Sequence, residues 1–183
     1  MKLESPKKSR KIKKSRKVLT VVAAVVVLLA GYTTYTIARP FVLHTEIDID
    51  ASPEQVWKVL TDRQAYPEWN PFIISSTGEL TKGAKITNVL RDTKGAETKF
   101  TPTLLAVEPN KELRWIGKVP PGGIFDGEHS YRLEALPDGR TRLIQEEKFR
   151  GVAIPFTRSM LNNTIKPQFV AMNHALAARA TGY

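Results

Sequence analysis

The stretch Ser52–Phe72, SPEQVWKVLTDRQAYPEWNPF, constrains the fold more than any other part of this chain. Ser52 is a good helix N-cap, Pro53 suits the first helical position, and Gln55 completes a Ser-x-x-Gln capping box. Val56, Val59 and Leu60 follow at helical spacing, so one face of a short helix goes into a core. After Asp62 the period breaks, and Tyr66-Pro67-Glu68-Trp69-Asn70-Pro71 forces a turn carrying two large aromatics. Upstream, His44–Asp50 alternates, with Thr45, Ile47 and Ile49 on one side, as a half-buried strand requires. Strand, capped helix, aromatic turn, strand is therefore the order in which the folded part opens.

What precedes it is of another kind. Val18–Ala38 is 21 residues without a charge, closed by Arg39-Pro40. As a helix it spans roughly 30 Å, about one hydrocarbon core. Residues 1–17 hold nine Lys/Arg against Glu4 alone. Together they read as a basic cytoplasmic tail (1–17) and a single transmembrane anchor (18–38), with Tyr32 and Tyr35 in the outer interface and the domain extracytoplasmic. A cleaved signal peptide is the rival reading; the long basic segment and the lack of a clean Ala-x-Ala site after the most apolar part count against it.

Taking the tail's nine basic and one acidic residue from the chain's 28 and 18 leaves 19 against 17. The folded part is nearly neutral, so no basic face is implied and nucleic acid is not an expected partner. Without cysteine there is no disulfide scaffold, thiol nucleophile or Cys-based zinc site. Three histidines without metal-ligand spacing make no case for a metal, and no cofactor is expected. Neither a Gly-rich phosphate loop nor a Gly-x-Ser-x-Gly elbow occurs, which argues against nucleotide hydrolysis and serine esterase chemistry.

Strand-like runs follow at Phe72–Leu80, Lys85–Arg91, Glu97–Val107, Glu112–Lys118, Gly127–Leu136 and Thr141–Arg150, punctuated by Gly, Pro and Asp turns. Short, evenly spaced strands of this kind make an antiparallel sheet. Near the C-terminus the period changes: Leu161, Ile165, Phe169, Met172 and Leu176 mark an amphipathic helix. Pro167 has no N–H for the carbonyl four residues back, so this helix should kink or restart there.

The run I-x-A-S-P-E-Q-V-W-x-V-L-T-D…Y-P-E-W-N-P-F resembles the opening of the START-related, polyketide cyclase/dehydrase-like superfamily (SRPBCC). The resemblance spans about residues 41–180 and implies the α+β helix-grip fold: a curved antiparallel sheet of about seven strands around a long C-terminal helix. It also implies an apolar cavity between sheet and helix. Phe72, Phe100, Trp115, Phe125, Met160, Phe169 and Met172 are candidate lining, although any single residue of these types at such spacing is more often plain core. The loop Val119–Phe125, VPPGGIF, is the candidate portal, stiff at its prolines and free to bend at its glycines, with a plain connection as the alternative.

Alternation puts Gly127, His129, Tyr131 and Leu133 on one face of their strand, and Leu143, Gln145, Glu147 and Phe149 on one face of the next. If Pro137-Asp138-Gly139 is a three-residue hairpin loop, Leu136 pairs with Arg140, His129 faces Glu147 and Tyr131 faces Gln145. A two- or four-residue turn would break that register. A His beside a carboxylate can serve as an acid–base pair, orient a ligand's polar head, or satisfy buried polar atoms. All three roles remain open at this point. The patterns Gly127-x-His129-x-Tyr131 and Glu147-x-Phe149-x-Gly151 resemble recurring motifs of the polyketide cyclase-like branch.

The expectation is a membrane-anchored binding or carrier module for a lipid or other hydrophobic small molecule. The alternatives are an aromatase/cyclase-like enzyme using His129 and Glu147 to move protons, and a protein-interaction module.

Overall fold

The computed structural model describes residues 7–182, with side chains from Arg16 onward, so the reading of residues 1–17 as a basic tail falls largely outside the described residues. Helix α1 (Lys7–Ala38) contains the apolar run; its Arg16–Ala38 part is long and apolar enough to cross a membrane, and that apolar window is unburied. After Pro40 the chain becomes a folded α+β unit.

Strand β1 (Phe41–Ile49) buries Leu43, Thr45 and Ile49, half-buries Ile47 and exposes His44, Glu46 and Asp48. Helix α2 (Pro53–Thr61) starts on the expected capping box: Gln55 N donates to Ser52 Oγ at 3.3 Å and Ser52 N to Gln55 Oε1 at 2.8 Å. Satisfying those orphan donors fixes the start of the helix and points Val56 and Leu60 into the core. The aromatic turn is tighter than a loop: one 3₁₀ turn (Arg63–Ala65) leads into a single helical turn, α3 (Tyr66–Trp69). Tyr66 donates its hydroxyl to the Leu60 carbonyl at 2.7 Å, and Asn70 Oδ1 accepts from Phe72 N and Ile73 N at 3.0 and 2.9 Å. That asparagine turns the chain into the next strand.

Strands β2 (Ile73–Thr77), β3 (Thr87–Arg91) and β4 (Glu97–Phe100) form one antiparallel sheet. Strands β5 (Thr103–Glu108), β6 (Glu112–Lys118), β7 (Asp126–Ala135) and β8 (Thr141–Arg150) join β1 in a second, in the order β1-β8-β7-β6-β5. The run read as one strand over Glu97–Val107 is two, broken at Thr101-Pro102, because proline has no N–H to give the ladder. A bridge between Lys85 and Thr103, with Ile86 N bonded to the Pro102 carbonyl at 3.0 Å, carries the sheet around that corner.

The C-terminal helix runs as α4 (Ile154–Met160), a π-helical turn over Leu161–Ile165, and α5 (Lys166–Thr181). The wide turn sits immediately before Pro167, where a regular hydrogen bond is impossible. Leu161, Phe169, Met172 and Leu176 are buried against the sheet, and Asn173 Nδ2 donates to Thr45 Oγ1 of β1 at 3.0 Å. This is the helix-grip architecture.

Candidate functional site

The β7–β8 hairpin closes as the three-residue loop requires: Leu136 N donates to the Arg140 carbonyl at 2.8 Å, and Gly139 takes the left-handed conformation (φ +85°). Register then follows along both strands. One rung crosses the whole five-stranded sheet as Leu104, Trp115, His129, Glu147 and Leu43. The rung two residues deeper, toward the hairpin, is filled by Leu113, Tyr131, Gln145 and Thr45. The rung on the other side reads Gly117, Gly127, Phe149 and Phe41. Two adjacent glycines there leave the inner face bare.

A cavity of about 350 Å³ occupies that space. Phe72, Phe100, Trp115, Phe125, Phe149 and Met160 form much of its wall, with His129 and Glu147 at its inner end. Glu147 is the sole carboxylate in the lining. Its Oε1 stands where a methyl on Gly127 would collide with it, so the glycine makes room for the acid as well as for the cavity.

His129 is held on all sides. Its ring stacks on Trp115 (centroids 4.6 Å apart, planes 4° apart) and meets Phe169 edge-on at 5.0 Å. Gln145 Nε2 donates to His129 Nε2 at 3.2 Å, which leaves the ring proton on Nδ1, facing Glu147 Oε2 at 3.4 Å. Gln145 Nε2 also reaches the Tyr131 hydroxyl at 3.3 Å, and that hydroxyl in turn contacts Met172 Sδ at 3.1 Å. Burial pushes the Tyr131 hydroxyl well above its ordinary range, helped by the nearby Tyr66 and Glu147, so it stays protonated. Both imidazole nitrogens are thus engaged by protein, which leaves Glu147 Oε1, with Thr98 and Lys118 elsewhere in the lining, to meet whatever fills the cavity.

Seven of the residues singled out from sequence line the cavity: Phe72, Phe100, Trp115, Phe125, His129, Glu147 and Met160. Four do not. All four are fully buried behind the wall: Tyr131 and Gln145 because their rung lies one step too deep, Phe169 and Met172 because their face of α5 packs on His129 and Tyr131. Ile73, Leu90, Thr98, Gly117 and Lys118 line it without having been singled out; for Gly117, a glycine within a strand is the signal that could have pointed there. The loop Val119–Phe125 borders the mouth, with Val119 and Phe125 in the lining. It is pinned: Val152 N and Ala153 N donate to the Gly123 and Ile124 carbonyls at 3.0 Å each.

The family described as polyketide cyclase/dehydrase and lipid transport matches residues 40–181. The chain belongs to that family. Among solved structures it is similar to the Zhui aromatase/cyclase from a Streptomyces species, at 17% identity over 78% of this chain and 94% of the other, with a TM-score of 0.63. A START superfamily protein from Mycobacterium smegmatis matches at 18% identity, 76% and 97% coverage, and a TM-score of 0.59. A Mesorhizobium loti protein matches at 22% identity, 77% and 96% coverage, and a TM-score of 0.59. At these identities the likeness is one of fold. No curated protein matches the sequence.

Proposed function

We propose that this family member is a membrane-tethered binding module that holds a lipid or other hydrophobic small molecule between sheet and C-terminal helix. The observation that carries the reading is the cavity itself: about 350 Å³, walled mainly by aromatic and aliphatic side chains, with one placed carboxylate. A mostly apolar pocket with few polar groups selects an apolar body and orients it by one polar end. Glu147 Oε1 would receive a hydroxyl or amine of that end, and His129 would hold the carboxylate in place. The apolar run in α1 supplies the tether, with the domain on the extracytoplasmic side.

Trp115 reports on the cavity directly, because it forms the wall beside His129, whereas Trp57 and Trp69 lie outside the lining. Titrating a fluorescent fatty-acid probe into the full chain should quench Trp115, and Trp115→Phe should remove that response. A saturable response that survives in Trp115→Phe would mean that the probe binds elsewhere.

The second reading is an aromatase/cyclase-like enzyme, favoured by the same His129–Glu147 contact at the end of an apolar cavity. There the Glu147 carboxylate would take a proton from the substrate and become neutral, with the His129 Nδ1–H orienting it. Loss of turnover with retained probe binding in Glu147→Gln would support it. Equal loss of both would return the pair to an orienting role.

A further inference from the structure

Three parts of the chain meet at the cavity mouth. The Tyr32 hydroxyl of α1 donates to the Val152 carbonyl, just past β8, at 2.8 Å. Thr36, one turn later, is buried, and Ile37 Cδ1 stands 3.9 Å from the Cβ position of Gly123. Val152 and Gly123 are themselves joined by a backbone hydrogen bond of 3.0 Å. The apolar helix therefore docks on the loop that borders the cavity. Between Tyr32 and Ala38 a helix rises about 9 Å, so this docking level lies within the apolar run rather than beyond its end.

The rim at that level is apolar and uncovered. Phe156 is 82% exposed, Val119 47%, Met160 44% and Ile124 38%. Val119 and Met160 also line the cavity, so the patch and the mouth are one place. A cluster of large exposed apolar groups marks a contact surface, whereas scattered ones are ordinary. Positive charge predominates as well: residues 118–126 and 151–166 carry Lys118, Arg158 and Lys166 against Asp126, whose carboxylate is taken up by Gly123 N at 2.8 Å, which suits an anionic lipid surface.

We infer that the cavity mouth is seated in the headgroup–acyl boundary of the bilayer that α1 crosses, so that ligand passes between membrane and cavity without crossing water. The inference rests on the membrane-tethered binding reading above and deepens it. Helix α1 becomes part of the access route, and the ligand class narrows to molecules that reside in the bilayer. The loop Val119–Phe125 and α4 form the contact face, and Phe156 and Ile124 reach furthest toward the acyl chains.

The absence of native cysteine allows single-site labelling of the full chain. Phe156→Cys and Asp138→Cys, each carrying an environment-sensitive fluorophore, would be compared in phosphatidylcholine/phosphatidylglycerol vesicles containing lipids with a shallow acyl-chain nitroxide. Asp138 sits in the hairpin loop at the far end of β7 and β8, roughly 30 Å from the rim at ten residues of strand rise. Quenching several-fold stronger at position 156 than at 138 is expected. Equal quenching overturns the seating. So does protection of position 156 from aqueous iodide without lipid quenching, which would put a protein partner there instead. Uptake of the fatty-acid probe, read from Trp115 in unlabelled chain in the same vesicles, separates the two readings. A filled cavity without the quenching contrast overturns the seating alone; the contrast with an unfilled cavity supports the seating and overturns the binding reading.

Discussion

Replacing His129 by phenylalanine separates packing from hydrogen bonding at the core of the site. A phenyl ring keeps the stack on Trp115 and the edge contact to Phe169, so little packing is lost. What goes is the acceptor for Gln145 and the donor to Glu147. Glu147 keeps access to the cavity, but Gln145 is wholly buried and its Oε1 already has no partner. Stranding one of its two amide N–H groups, the other still reaching the Tyr131 hydroxyl, costs about 1–3 kcal/mol. Taking about 2 kcal/mol, His129→Phe lowers Tm by roughly 4–8 °C in a chain of this size. His129→Ala adds a void beside Trp115 and costs more, about 3–5 kcal/mol by analogy with other large-to-small core changes. The test is a cycle: His129→Phe, Gln145→Leu and the double variant, each melted as full chain in the same detergent. Gln145→Leu alone leaves His129 Nε2 unpaired, whereas the double variant removes both partners and should recover most of the loss. If the two single effects simply add in the double variant, the amide–imidazole bond contributes nothing and the held-histidine account is wrong.

Other expectations follow from the same contacts. Asn70→Ala strands two backbone N–H groups and should cost about 2–4 kcal/mol by denaturant unfolding, while Asn70→Asp, which keeps the acceptor, should cost much less. Gly151→Ala puts a methyl against the Ile124 carbonyl at φ +127°, so the loop should detach and amide exchange at Val152 and Ala153 should accelerate; unchanged exchange would show that the loop is not pinned there. Hydrogen bonding from Arg142 holds the Asp48 carboxyl below the ordinary range, opposed slightly by burial. Its contribution is therefore present above the unfolded-state value and is lost as pH falls through the folded one. Its NMR titration should move upward in Arg142→Gln, and a midpoint that stays put would remove Arg142 as the cause.

Local chemistry carried most of what was legible in the sequence. The capping box, the asparagine turn and the hairpin are written over a few residues each, and the last of these sets His129 opposite Glu147 through nothing more than loop length. Alternation then told inner from outer faces on β7 and β8. Depth along a face was not legible. Tyr131 and Gln145 share their faces with His129 and Glu147, yet one rung decides between wall and core, and that is set by where Gly117 and Gly127 fall beside each other on β6 and β7, a register that the loop between them does not announce. The break at Pro102 was masked by the apolar residues on either side of it. The docking of α1 on the mouth depends on Tyr32 meeting a carbonyl 120 residues away, and no pattern within the apolar run announces it.

The most direct measurement of the central claim is native mass spectrometry of the full chain released from its membrane, beside Gly117→Leu. Gly117 lines the cavity with room for a Cβ in ordinary contact with Phe100, so a leucine there fills the pocket without straining the backbone. The account predicts a discrete added mass in the small-molecule range on the wild-type chain, released on denaturation and strongly reduced in Gly117→Leu. Lipid held only around α1 would be the same in both. An unadducted mass that does not shift with mixed lipids, or adducts identical in the two proteins, would contradict the cavity as a ligand site.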